Sequence, residues 1–160
     1  MLRSLEHRRC KTLRQSTSAL SAPDVERFLS QVVGWKITHV EGCMGIHKRF
    51  MFQKYDSAFD FVRSIAAAAT IENHHPKLVF EYSLVDVTWW THSAKGLHEN
   101  DFIMASKTDV AYNNLILDSQ AIWVTKIQSI PLYNCSPNRQ VSSYVHCRLR
   151  NIPKRGNTIW

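Results

Sequence analysis

Between residues 23 and 105 the spacing of apolar side chains passes from a helical to an alternating period and back, twice over. This order of periods restricts the fold more than any other feature of the chain. Pro23 suits a first helical turn, and Asp24 and Glu26 sit favourably at the positive end of a helix dipole. Val25, Phe28, Leu29, Val32 and Val33 then share one helical face, and Gly34 supplies a C-terminal cap. From Trp35 the period drops to two. Residues 36–41 read as a strand, 42–45 as a turn and 46–53 as a second strand, with Ile46, Lys48, Phe50 and Phe52 on one face and His47, Arg49 and Met51 on the other. Asp56 can cap a long helix to about Glu72, with Ala58, Phe59, Val62, Ile65, Ala66 and Ala69 as its apolar stripe. Residues 78–83 and 85–92 alternate as two further strands, Leu78, Phe80 and Tyr82 sharing a face of the first and Val85, Val87, Trp89 and Thr91 a face of the second. A last helix begins near Glu99 and carries Phe102, Ile103 and Ala105. Local strand pairs separated by helices predict an α+β two-layer sandwich, a four-stranded antiparallel sheet with helices on one face in the order α-β-β-α-β-β-α.

The 160 residues, 44% hydrophobic and 21% charged, suit one core with appendages. No run approaches the roughly 18 to 20 apolar residues of a membrane helix. Cys10, Cys43, Cys135 and Cys147 are scattered, which argues against a zinc ribbon and against a dense disulfide framework. The formal charge of +7 is unevenly spread. Residues 1–22 carry five Lys/Arg against Glu6, residues 111–160 carry six against Asp118, and residues 23–110 hold nine basic against eleven acidic side chains. The ends are basic and the middle is slightly acidic, so a nucleic-acid groove in the middle is disfavoured. Residues 1–20, Arg-rich with interspersed leucines and Glu6 as the one acid, have the composition of a transit peptide; this points to a mitochondrial address, with an untargeted disordered tail and a cytoplasmic or nuclear protein as the alternative. The expected divisions are a basic segment at 1–21, a domain at 22–112 and a basic, weakly ordered extension at 113–160. Cys135, His146 and Cys147 in the extension fit no standard metal spacing.

Three histidines stand at edges of the scaffold: His74 and His75 before Pro76, and His92 at the end of the fourth strand. Pro76 keeps His75 extended, so the pair cannot continue the preceding helix. Imidazole both gives and takes a proton near neutral pH, and with Asp101 nine residues beyond His92 the set makes an acid–base site. The competing readings are a solvated loop pair and a zinc site of three histidines. Adjacent ligands on extended backbone point to opposite sides, and no cysteine lies near in sequence, so no metal is assigned.

The residues His74-His75-Pro76, Tyr82 with Val85, Thr91-His92, Gly96-Leu97 with Asp101, and Ala105 together resemble the pterin-4a-carbinolamine dehydratase family. Gly34-Trp35, the Ile46-x-Lys48-x-Phe50-x-Phe52 strand and Ala58-Phe59-x-Phe61 extend the resemblance to about residues 22–112. It implies dehydration of 4a-hydroxytetrahydropterin to quinonoid dihydropterin, a step of tetrahydrobiopterin recycling, without a cofactor. It also implies His74, His75 and His92 as catalytic groups, and Trp35, Asp101 and Glu72 as pterin contacts. The implied partners are the pterin, a second copy or three further copies of the chain, and a hydroxylase or transcription factor. The rival implication is a non-catalytic dimerisation, assembly or coactivator factor on the same fold. A pure scaffold has no need of three histidines with Asp101, which favours catalysis. Two positions depart from the family pattern: Thr70 stands where an acid is usual, with Glu72 nearer the histidines, and His98 stands where Ser or Thr would cap the last helix.

Overall fold

A computed structural model describes residues 4–14 and 17–128. Helix α1 (Ala22–Leu29) starts at Ser21, whose Oγ accepts the Asp24 N–H, with Pro23 in the first turn. Strands β1 (Lys36–Val40) and β2 (Cys43–Met51) form a hairpin. Helix α2 (Tyr55–Glu72) follows, then strands β3 (Lys77–Glu81) and β4 (Leu84–Trp89) and helix α3 (Glu99–Gln128). The sheet is antiparallel throughout in the order β1-β2-β4-β3. This is the α+β sandwich the periods predict. No helix among the described residues is long and apolar enough to cross a membrane.

The alternating strands bury one face. Ile46, Phe50, Val85, Val87 and Trp89 lie under the helices, while His47 and Arg49 meet Asp86 on the other side, both on its carboxylate. Phe50 centres the core, 4.8 Å from Phe61 and 5.0 Å from Tyr112 between ring centroids, with Trp35 edge-on at 6.0 Å. Phe28 of α1 stacks on Phe102 of α3 at 5.3 Å.

Several local expectations are corrected. The first turn falls at Glu41-Gly42 rather than 42–45, because both residues have positive φ (52° and 76°), the geometry that closes a two-residue hairpin in step with strand twist. Helix α1 stops at Leu29, so Val33 is 81% exposed and only Val32 joins the core. In α2 the inward face is Ala58, Phe61, Ile65 and Ala69, at helical spacing. Phe59 and Ala66 lie off that stripe, and Phe59 reaches Phe80 instead. Tyr82 lies in the turn after β3 and is exposed. Helix α3 passes residue 112 without a break, since the nearest proline beyond is Pro131, and Tyr112 and Leu115 pack on the core. Cys135, His146 and Cys147 lie outside the described residues.

The described residues of the basic N-terminal segment make contacts with the domain. Leu5 is buried in the core, the Leu20 N–H bonds the Leu97 carbonyl, and the Arg8 guanidinium meets Glu99 at 2.9 Å.

Candidate active site

Helix α2 ends where Asn73 turns into the left-handed region (φ 49°, ψ 44°). The Asn73 N–H returns to the Thr70 carbonyl and the His74 N–H to the Ala69 carbonyl, a paired closure that satisfies the last carbonyls and fixes where His74 leaves the helix. Its imidazole, 6% exposed, stacks on the Trp89 indole with ring centroids 5.6 Å apart and planes 12° from parallel. One ring nitrogen, Nε2, lies 2.7 Å from Asp101 Oδ1.

Asp101 is fully buried in the first turn of α3. Its Oδ2 accepts the Thr91 hydroxyl at 2.9 Å and the His98 backbone N–H at 2.7 Å. A carboxyl that already accepts from two donors serves as an acceptor towards His74 as well, so a neutral His74 ring presents Nε2–H to it and leaves Nδ1 as the lone pair. One carboxyl therefore joins the loop of His74-His75 to the loop of Thr91-His92.

The start of α3 explains the departure at His98. His98 Nδ1 accepts the Asn100 N–H at 3.2 Å while Asp101 accepts the His98 N–H, a reciprocal cap built with unusual residues. His98 thus fills the capping place where Ser or Thr is usual. Acceptance at Nδ1 needs a neutral ring, and burial pushes this imidazole's pKa down, ahead of the opposing pull of Asp101 and Glu99. An unfolded chain then takes up the proton before the folded one does, so this contribution to stability is intact above about pH 6.5 and is lost as the pH falls below it. The Tm of the native chain should drop more between pH 7.5 and 5.5 than that of His98→Asn, which caps without titrating. Equal drops would remove His98 from the account.

The remaining expected site residues are distributed differently. His75 is exposed beside His74. His92 is exposed in a short 3-10 turn, its ring 4.7 Å from that of Trp90 and its Nδ1 3.9 Å from Glu41. Glu72 turns to the N-terminal segment, taking the Cys10 N–H at 2.9 Å and lying near Arg9 and Lys107. Burial alone would raise its carboxyl; the Cys10 N–H and the two cations outweigh that and hold it below the usual range. Trp35 is buried, its Nε1–H on Asp109, two turns and roughly 12 Å along α3 from Asp101. The structure thus joins His74 and Asp101, keeps His75 and His92 next to the residues that anchor the pair, and sets Trp35 and Glu72 to other partners. Thr91, His98 and Asn100 join the site in addition to the residues expected from sequence. The signal that could have found them is the three-residue reach of a helix-start carboxylate back to its cap. Among the described residues no three His, Cys, Asp or Glu side chains group as metal ligands would.

The family model described as pterin 4 alpha carbinolamine dehydratase matches residues 18–111. A Saccharophagus degradans protein provisionally named pterin-4-alpha-carbinolamine dehydratase is 40% identical over 103 residues, 64% of this chain and 91% of its own length. A Vibrio cholerae protein of the same provisional name is 39% identical over 105 residues, 66% of this chain and 96% of its own. A crystal structure titled transcriptional coactivator/pterin dehydratase, from Brucella melitensis, matches with a TM-score of 0.55 at 33% identity, covering 59% of this chain and 99% of that one.

Proposed function

Because the chain belongs to the pterin 4 alpha carbinolamine dehydratase family, we propose that it removes water from a 4a-hydroxytetrahydropterin by histidine acid–base catalysis. The reaction breaks the C4a–O bond, takes the proton from N5 and leaves an N5=C4a double bond. It therefore needs a base for N5–H and an acid for the departing hydroxyl, and no electron changes hands. The observation that carries the reading is the buried Asp101 carboxyl, which lies 2.7 Å from His74 Nε2 and accepts the Thr91 hydroxyl. His74 Nδ1 is the base, and the exposed rings of His75 and His92 supply the acid. The test is turnover of 4a-hydroxytetrahydropterin by the purified chain, followed by absorbance, with and without a chelator. A rate equal to spontaneous dehydration would overturn the reading, and a rate abolished by the chelator would replace it with metal chemistry. The mitochondrial address read from residues 1–20 stands beside this as a proposal, to be tested by imaging a tagged full-length chain.

A second reading, assembly with a copy of the chain or another protein, is favoured by one surface. Tyr55, Phe59, Phe80 and Tyr82 form an aromatic cluster along the open edge strand β3, and three of the four are exposed large rings. An open strand with such a border is a candidate to be covered. Light scattering at micromolar concentration should report a dimer or tetramer, and Phe59→Glu should shift it towards the monomer. A native monomer would count against self-association.

A further inference from the structure

We propose that the N-terminal segment is a strap that positions the His74–Asp101 pair, with Asn100 as the positioning residue that receives it. Consecutive backbone groups of the strap reach both helix ends that carry the pair. The Cys10 N–H bonds Glu72 Oε2 at 2.9 Å, two residues before His74. The Lys11 N–H bonds Asn100 Oδ1 at 2.9 Å, and the Lys11 carbonyl accepts Asn100 Nδ2–H at 2.8 Å, one residue before Asp101. Asn100 is 1% exposed, so its amide has been taken out of water for this two-bond clasp with the main chain. The end of α2 and the start of α3 are thereby spliced through residues 10 and 11.

The strap is itself anchored. The Lys107 ammonium donates to the Glu6 carbonyl at 3.0 Å, Arg8 meets Glu99, and Leu5 is buried. The Cys10 thiol adds only a weak contact, its Sγ donating to the Asn100 carbonyl at 3.9 Å. Burial, followed by the Glu72 charge, pushes its pKa up to about 12, so it stays a protonated, unreactive group while the backbone around it makes the contacts. Helix ends fray, and a hydrogen bond of 2.7 Å between two of them tolerates little relative movement. Splicing both ends through a third segment removes that movement.

The inference rests on the proposed use of His74 and Asp101 in proton transfer, so the test reads geometry and turnover separately. In the full-length chain, Lys11→Ala removes the ammonium contact with Glu99 but keeps the backbone donor, whereas Lys11→Pro removes the donor as well. With ¹⁵N-histidine labelling, the His74 ring proton should exchange with water as slowly in Lys11→Ala as in the native chain. It should exchange about 10-fold faster in Lys11→Pro, and kcat should fall about 10-fold with KM within about two-fold, the usual scale for a supporting contact. Asn100→Ala, which removes both bonds of the clasp, should lose at least as much as Lys11→Pro, and the double variant should add little to Asn100→Ala, since Lys11→Pro removes a bond that is already gone. Equal exchange and equal kcat in Lys11→Pro and Lys11→Ala would overturn the strap. So would a loss of activity that merely follows the folded fraction measured by near-UV circular dichroism. A change in exchange in a native background without turnover would uphold the strap and remove the dehydratase reading.

Discussion

Alanine in place of His74 or of His92 should lower kcat by roughly 10²- to 10⁴-fold, the contribution of one positioned acid or base. The two replacements should differ in everything else. His74 is packed against Trp89 and bonded to Asp101, so His74→Ala also leaves a cavity and strips Asp101 Oδ1 of its partner, and its Tm should fall. His92 is exposed, so His92→Ala should keep the native Tm while losing turnover. The double variant should cost less than the product of the single effects, because groups that serve one proton transfer are not independent. His75→Ala should change kcat and KM together, given that its ring is free to meet the pterin or to support the loop. His39→Ala should stay within a few-fold of native. His47→Ala should as well, although it loses a contact with Asp86 on the far face of the sheet. Steady-state kinetics beside thermal unfolding separates these outcomes. If His74→Ala and His92→Ala both turn over at near-native rates while folded, the acid–base assignment falls and the assembly reading gains ground.

Much of the architecture was legible because burial imposes period. Ile46, Phe50, Val85, Val87 and Trp89 alternate along strands with one wet face, so pleat and sequence agree. The long helix was legible as a helix but not in its exact phase. Phe59 and Phe61 are equally apolar, and only the position of β3 decides that Phe61 turns inward while Phe59 meets Phe80. His74 and Asp101 were named from sequence, but the three donors that converge on Asp101 come from two loops and a helix cap, which no linear spacing encodes. The N-terminal strap was illegible for a deeper reason. Its decisive contacts to Glu72 and Asn100 are made by the backbone of Cys10 and Lys11, which every residue but proline carries, so the composition of the segment says nothing of them. Composition instead registered the charges of Arg8 and Lys11, whose partner Glu99 lies about ninety residues away.

Asp101 is where stability and catalysis should come apart. Asp101→Ala leaves the His74 ring N–H, the Thr91 hydroxyl and the His98 N–H without their acceptor in a site closed to water. Unmet buried donors and the loss of one member of a buried pair should cost about 3–5 kcal/mol in urea unfolding. Activity should then vanish with the positioning of both loops. Asp101→Asn keeps the shape. Its amide oxygen can serve Thr91 and His98 from the Oδ2 position, which puts its NH₂ opposite His74 Nε2. Two donors cannot face each other, so His74 must move its proton to Nδ1 and accept at Nε2. The chain should therefore stay folded, with a loss of about 1–2 kcal/mol, while kcat falls by about 10³- to 10⁴-fold, because the lone pair that should take the N5 proton is now turned inward. ¹⁵N shifts of the His74 ring read the tautomer directly, without reference to turnover. An Asp101→Asn chain with native kcat would show that Asp101 only braces the fold, and that His74 is not the base it stations.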